Sequence, residues 1–138
     1  MSARAFIDTN VLIYLHDKAA GFKQEVAKSL VDDLWRSGEG ALSVQVLQEF
    51  YVNGTKKLGM PSEVAEAQMA RLLAWAVHTP TPQDVLTAVR LHRAQQLSFW
   101  DAMIVTSAGR LGCEVVWSED LNAGQQVAGV RVQNPFAT

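Results

Sequence analysis

The sequence predicts an α/β domain whose parallel sheet is covered by helices on both faces. The runs Ala3–Asp8 and Glu114–Ser118 are short, apolar and β-favouring, without the polar alternation of a half-exposed strand. Long segments with apolar residues at helical spacing separate them, as in Phe22, Val26, Leu30 and Leu34. Strong helix-start signals stand at Thr81-Pro82-Gln83-Asp84 and at Ser98. Strands joined by long helices give parallel pairing, because a parallel neighbour needs a crossover connection.

Taken in order, Ala3–Asp8 reads as the first buried strand, and Asn10 is placed to cap a helix that begins with Val11 and Leu12. Gly21 interrupts that helix, and the stripe from Phe22 to Ser37 forms the next. Ser37-Gly38-Glu39-Gly40 is a turn, Ala41-Leu42 a short strand, and Ser43 caps a helix that ends near Gly59. Pro61-Ser62 opens another helix with Val64, Ala65, Met69, Leu72 and Leu73 inward, and Trp75–Thr79 reads as a strand. Two further helices follow, one from Thr81 towards Gln96 and one from Phe99 to Arg110, closed by Gly112. Asn122-Ala123-Gly124 is a turn, and Val130-Arg131-Val132 is a last strand.

At 138 residues the chain has the size of one domain, residues 1–138, with no repeat, low-complexity run or linker to divide it. It is 49% hydrophobic and 19% charged, as in soluble globular proteins. No apolar run reaches the roughly 18 residues of a membrane span, and the N-terminal run, broken by Asp8 and Asn10, makes a poor signal peptide. A single cysteine, Cys113, has no partner for a disulfide within the chain, which points to a reducing cytoplasmic setting.

Four carboxylates stand where a solvated surface charge would not. Asp8 ends the first strand, and Asp120 lies just past Val115–Ser118; ligands of open parallel sheets bind at these carboxyl ends. Glu49 borders an apolar helical face one turn after Val46, and Asp101 lies one turn before Ile104 and Val105. Each has a plainer reading. Ser98-Phe99-Trp100-Asp101 fits a capping box, Asp8 can cap the helix it precedes, Glu49 can be the edge of an amphipathic face, and Asp120 can be turn chemistry. Together, four converging carboxylates would repel and raise one another's pKa. A divalent cation removes that difficulty, and an all-oxygen shell suits Mg²⁺ or Mn²⁺. His16, His78 and His92 form no zinc-ligand pattern, and neither a GxxxxGK[ST] loop nor a GxSxG elbow is present.

The segments FIDTNVLIYL, VLQEFY, LSFWDAMIVTSAGRLGC and VVWSEDLNAG closely resemble the PIN-domain nucleases, and most of all the VapC-type toxins of bacterial toxin–antitoxin pairs. The resemblance covers nearly the whole chain, and the order and spacing of the four segments are more specific than any one acid. It implies a PIN-like three-layer αβα sandwich around a short central parallel sheet of four to five strands. It also implies a metal-dependent endoribonuclease that uses Mg²⁺ or Mn²⁺. Asp8, Glu49, Asp101 and Asp120 match the family's catalytic, metal-holding acids, and Thr9, Asn10 and Ser118 match their polar companions. Glu119 stands beside Asp120 as the alternative for the fourth role, though the motif favours Asp120. The implied reaction is attack of a metal-activated water on an RNA phosphodiester, leaving a 5′-phosphate and a 3′-hydroxyl. The implied partners are an RNA substrate, a cognate antitoxin and a second copy of the chain. The apolar helices around Trp35, Phe50–Tyr51 and Met69–Leu73 are the expected contact faces.

The net charge of −2 looks unsuited to RNA, but without the four acids twelve Lys and Arg face ten Asp and Glu, a net +2. Arg4, Lys56, Lys57, Arg71, Arg90, Arg93 and Arg110 are the candidates for an RNA path. A PIN-like domain that binds RNA without cutting it is the alternative function, although such a module has no need of four acids where phosphate must approach. An aspartyl-phosphate at Asp8, as in dehalogenase-like hydrolases, fits less well because the second position of their Asp-x-Asp is here Asn10.

Overall fold

The computed structural model describes residues 3–121 and 124–137. Along the chain run β1 (Ala5–Ile7), α1 (Thr9–Leu15), α2 (Phe22–Ser37), β2 (Gly40–Ser43), α3 (Val44–Lys57) and α4 (Ser62–Leu72). There follow β3 (Ala76–His78), α5 (Pro82–Gln95), α6 (Phe99–Arg110), β4 (Val115–Trp117), β5 (Gln126–Val127) and β6 (Val130–Gln133). The strands form one sheet in the order β3-β2-β1-β4-β6-β5, parallel throughout except for β5 against β6. The α/β architecture with a mostly parallel central sheet is therefore as predicted. Five strands are parallel, and the sixth, β5, is a two-residue antiparallel addition too short to leave a pattern in the sequence.

Helices α1 to α4 pack among themselves, α5 packs on α6, and α2, α3 and α6 all meet β2. All four residues of β2 and all three of β1 are buried, as the lack of polar alternation required. Phe6, Ile7, Leu42, Val46, Phe50, Ile104 and Val116 are among the side chains with essentially no exposure. Gly40 has to be glycine, since a Cβ there would lie 2.4 Å from the Trp75 ring. Gly38 closes α2 in the left-handed region at φ 74°.

The helix starts are mostly those the sequence marks. Thr81 and Asp84 complete a reciprocal capping box at α5, and Ser43 and Ser98 cap α3 and α6. One start differs: α1 begins at Thr9, capped by Asp8, whose carboxylate accepts the Thr9 N–H, so Asn10 is released from capping. The expected inward face of α4 is only partly right, because Val64 is exposed and Leu73 beyond the helix is 62% exposed. Phe50, expected on a contact face, is buried, while Tyr51 beside it in sequence is exposed. Asn122 and Ala123 of the expected turn lie outside the described residues. Among the described residues no helix is long and apolar enough to cross a membrane.

Sheet order positions the site. The chain steps outward from β1 to β2 to β3, then returns across the sheet to place β4 on the other side of β1. The crevice at the carboxyl ends of β1 and β4 is thus the point where strand order reverses, the usual ligand position of an open parallel sheet.

Candidate active site

Ile7 pairs with Trp117 in the parallel register of β1 and β4, so the next residues, Asp8 and Ser118, leave the sheet side by side. The Asp8 N–H donates to the Trp117 carbonyl at 3.0 Å, and the Ser118 N–H donates to the Gln133 carbonyl at 2.9 Å. These backbone bonds fix both chain exits, and the side chains then interlock. The Ser118 hydroxyl donates to Asp8 Oδ2 at 2.8 Å and accepts the N–H groups of Asp120 and Leu121, which folds the loop after β4 back over the sheet edge. Asn10, freed from capping, becomes the hub of this corner. Its Nδ2 lies 3.3 Å from Asp8 Oδ2, from Ser118 Oγ and from Asp120 Oδ2, while its Oδ1 accepts the Glu119 N–H.

The second half comes from helices. Ser43 caps α3 at the end of β2, and Glu49 faces Thr9 of α1, whose hydroxyl donates to Glu49 Oε1 at 2.6 Å. Gln45, one turn before, donates from Nε2 both to Glu49 Oε2 at 3.1 Å and to the Trp100 carbonyl at 3.2 Å. That bridge ties α3 to the first turn of α6, where Asp101 stands. Ser98 accepts the Asp101 N–H at 3.0 Å, yet the reciprocal bond of a full capping box forms only at α5 among the described residues. Asp101 lines the cleft while its carboxylate keeps a side-chain contact with Ser98, so it stands both at its helix end and at the site.

Asp8, Thr9, Asn10, Glu49, Asp101 and Asp120 all line one open cleft of about 700 Å³, and Ser118 supports it from beneath, fully buried. All seven residues singled out by the sequence thus converge. Among the described residues no three Asp, Glu, His or Cys side chains close into a ready-made metal cage, so the cleft is an open one. The donor set still suits a hard cation: every candidate ligand is a carboxylate, and Mg²⁺ and Mn²⁺ keep several waters and take few protein ligands.

Among the described residues no cationic side chain pairs with Asp8 or Asp101. Asp8 is 5% exposed, and burial lifts its carboxyl from 3.8 to about 6, with the Glu49 and Asp101 charges adding to the effect. Hydrogen bonds from Ser118 and Thr9 oppose that rise without cancelling it. Burial likewise raises Asp101, a hydrogen bond from Ser98 opposes it without cancelling it, and the Asp120 and Glu49 charges add to the rise. Glu119 is different. Burial pushes it up, but the Lys23 ammonium and the Tyr14 hydroxyl, which donates at 2.7 Å, outweigh burial and hold it down. Its carboxylate is neutralised by that grip, whereas that of Asp120 meets only the Asn10 amide among the described residues.

Gln45, Tyr14 and Lys23 escaped the sequence reading. Gln45 had a signal, its four-residue step from Glu49; Tyr14 and Lys23 had none, since Glu119 lies 105 and 96 positions away.

Residues 5–128 match the family model of the PIN domain. No curated protein matches the chain significantly in sequence. Among solved structures, a toxin–antitoxin complex from Klebsiella pneumoniae is similar at a TM-score of 0.72 and 22% identity, over 97% of this chain and 99% of that one. VapC20 of Mycobacterium tuberculosis, a sarcin-ricin loop cleaving toxin, is similar at 0.66 and 22% identity, over 84% and 89%. DNA-bound VapBC from Salmonella typhimurium is similar at 0.66 and 18% identity, over 97% and 99%. The likenesses in fold run the length of the chain, and the family match spans nearly all of it: the chain belongs to the PIN domain family.

Proposed function

We propose that residues 1–138 act as one PIN-like nuclease domain, a divalent-metal-dependent endoribonuclease and the toxin of a toxin–antitoxin pair working in the cytoplasm. The observation that carries this reading is Asp8, a buried carboxylate flanked by Glu49 and Asp101 and paired with no cationic side chain among the described residues. Burying such a charge is costly unless something positive offsets it.

Asp8, Glu49, Asp101 and Asp120 would hold Mg²⁺ or Mn²⁺. The chemistry that ion supplies when bound is an acidified water nucleophile and neutralisation of the charge that builds on the scissile phosphate. The chain's own residues set the geometry. Ser118 and Asn10 aim the Asp8 carboxylate, Thr9 and Gln45 hold both oxygens of Glu49, and the Asn10 amide steers Asp120. Such outer contacts orient ligands and tune affinity. Cleavage within an RNA to a 5′-phosphate and a 3′-hydroxyl calls for a site open to solvent, and a cleft of about 700 Å³ supports that reading.

Support for the toxin reading comes from the fold shared with VapC20 and with the Klebsiella toxin–antitoxin complex. A cognate antitoxin and a second copy of the chain are the proposed protein partners. Tyr51 and Val52 on α3, Val64 on α4 and Leu73 just past it put large apolar groups on the surface for such contacts. A PIN-like domain that binds RNA without cutting is disfavoured by the same acidic cleft, which repels phosphate unless a cation is bound.

The test is incubation of purified protein with structured RNA in Mg²⁺, in EDTA and as Asp8→Asn. Cleavage confined to wild type in Mg²⁺ is expected; no cleavage of any RNA would overturn the nuclease reading.

A further inference from the structure

Gln45, Glu49, Asn53 and Lys57 follow one another at four-residue steps along α3 and all line the acidic cleft. The first two are locked into the hydrogen-bond network already described. Lys57 is exposed and makes no ion pair among the described residues. It is also alone in sign among the described residues that line the cleft, six of which are carboxylates.

The other basic candidates lie elsewhere. Arg4 donates to the Leu111 carbonyl, Arg71 lies over the Trp35 ring at 5.3 Å, and Arg110 is bonded to Asp84. Lys56, Arg90 and Arg93 are outside the cleft lining. Lys23 reaches the cleft only through its ion pair with Glu119. Among the described residues, a polyanion entering this groove therefore meets one lining cation without an acidic partner, at the end of α3 away from the sheet.

From this placement we infer that Lys57 is a phosphate clamp: its ammonium binds a backbone phosphate of single-stranded RNA flanking the phosphate at the acids. Eight residues separate it from Glu49, about 12 Å along the helix axis. That distance separates the two binding points by more than one phosphate group, so Lys57 sets register along the strand and takes no part in the chemistry. This inference rests on the ribonuclease reading for its substrate. A plainer role exists, since Lys56 and Lys57 both sit in the last turn of α3, where cations complement the helix dipole. The two lysines share that role equally, but only Lys57 lines the cleft, which makes Lys56 the control.

The experiment follows binding of a short fluorescent single-stranded RNA across a salt series at a fixed concentration of Ca²⁺, a hard cation that offsets the acids, with Mg²⁺-dependent cleavage measured in parallel. The expected result is that Lys57→Gln weakens binding several-fold at low salt. The slope of log affinity against log salt should shrink by about 0.7, the contribution of one single-strand phosphate contact. KM should rise with kcat retained, Lys57→Arg should restore binding, and Lys56→Gln should match wild type. Equal effects of Lys56→Gln and Lys57→Gln, or an unchanged slope, would overturn the clamp. Cleavage with an unchanged slope sinks the clamp and leaves the nuclease standing. Lys57-dependent binding without cleavage by wild type does the reverse, and no RNA binding by wild type ends both.

Discussion

Thr9 and Glu49 are forty positions apart, and the Thr9 hydroxyl donates a 2.6 Å hydrogen bond to Glu49 Oε1. That contact links the helix after β1 to the helix after β2, so the two halves of the acidic cleft hold each other in place. Thr9→Val keeps the shape and removes the donor. Mg²⁺ affinity, read as the concentration for half-maximal RNA cleavage, should weaken by about 10- to 100-fold, the usual cost of losing an outer contact to a ligand. Thr9→Ser should keep most of it. An unchanged Mg²⁺ dependence in Thr9→Val would remove Glu49 from the ligand set.

The raised pKa of Asp8 makes stability pH-dependent in a defined sense. Folded Asp8 holds its proton up to about pH 6, against 3.8 for the ordinary carboxyl, so the folded state binds more protons between those values. The stabilisation this gives is fully present below about pH 4 and lost as pH rises through about 6, an effect of about 3 kcal/mol. In EDTA, Asp8→Asn should therefore gain on wild type by about that much in urea unfolding between pH 4 and pH 7. Mg²⁺ should cancel the gain at pH 7 by stabilising wild type alone. A pH-independent difference between the two proteins would mean that Asp8 is ionised without cost.

Asp101 separates helix capping from ligand duty. Asp101→Asn removes the charge and leaves the bond from its N–H to Ser98 untouched. Because burial disfavours the wild-type charge and Asp120 and Glu49 repel it, the variant should melt at the same or a higher temperature in EDTA. Mg²⁺ should then raise the wild-type melting point more than the variant's, with RNA cleavage lost in the variant. Equal Mg²⁺ shifts with cleavage retained would return Asp101 to its helix end.

Much of this was legible in the sequence because it is local. Caps such as Thr81 with Asp84, the span of α2 and the unalternating β1 and β4 are short-range patterns, and each appears in the structure near its expected bounds. The expected α2 stripe is nevertheless off in phase, with Phe22 exposed and Ala27, Val31 and Leu34 buried. The four acids and their polar companions were legible as motifs. What the sequence hid is what depends on distant neighbours or on helical phase. Asn10 gave up its capping role to Asp8, one residue shifted Phe50 inward and Tyr51 outward, and β5 is two residues long. The motif favoured Asp120 over Glu119, but the contrast in their surroundings, with Tyr14 and Lys23 arriving at Glu119, was hidden.

That last distinction is open to a direct comparison. Asp120→Asn should abolish RNA cleavage while leaving the melting temperature in EDTA unchanged or higher. Glu119→Gln should lower the melting temperature, by loosening the Tyr14 and Lys23 contacts, and keep most of the cleavage. The opposite pattern would give Glu119 the fourth role.

The central claim is that Asp8, Glu49, Asp101 and Asp120 hold a divalent cation, and anomalous diffraction from crystals grown with Mn²⁺ addresses it most directly. The expected result is a strong manganese peak in the cleft against Asp8 and Asp101, absent from crystals of Asp8→Asn. No peak there, at a Mn²⁺ concentration that supports RNA cleavage in solution, would contradict it.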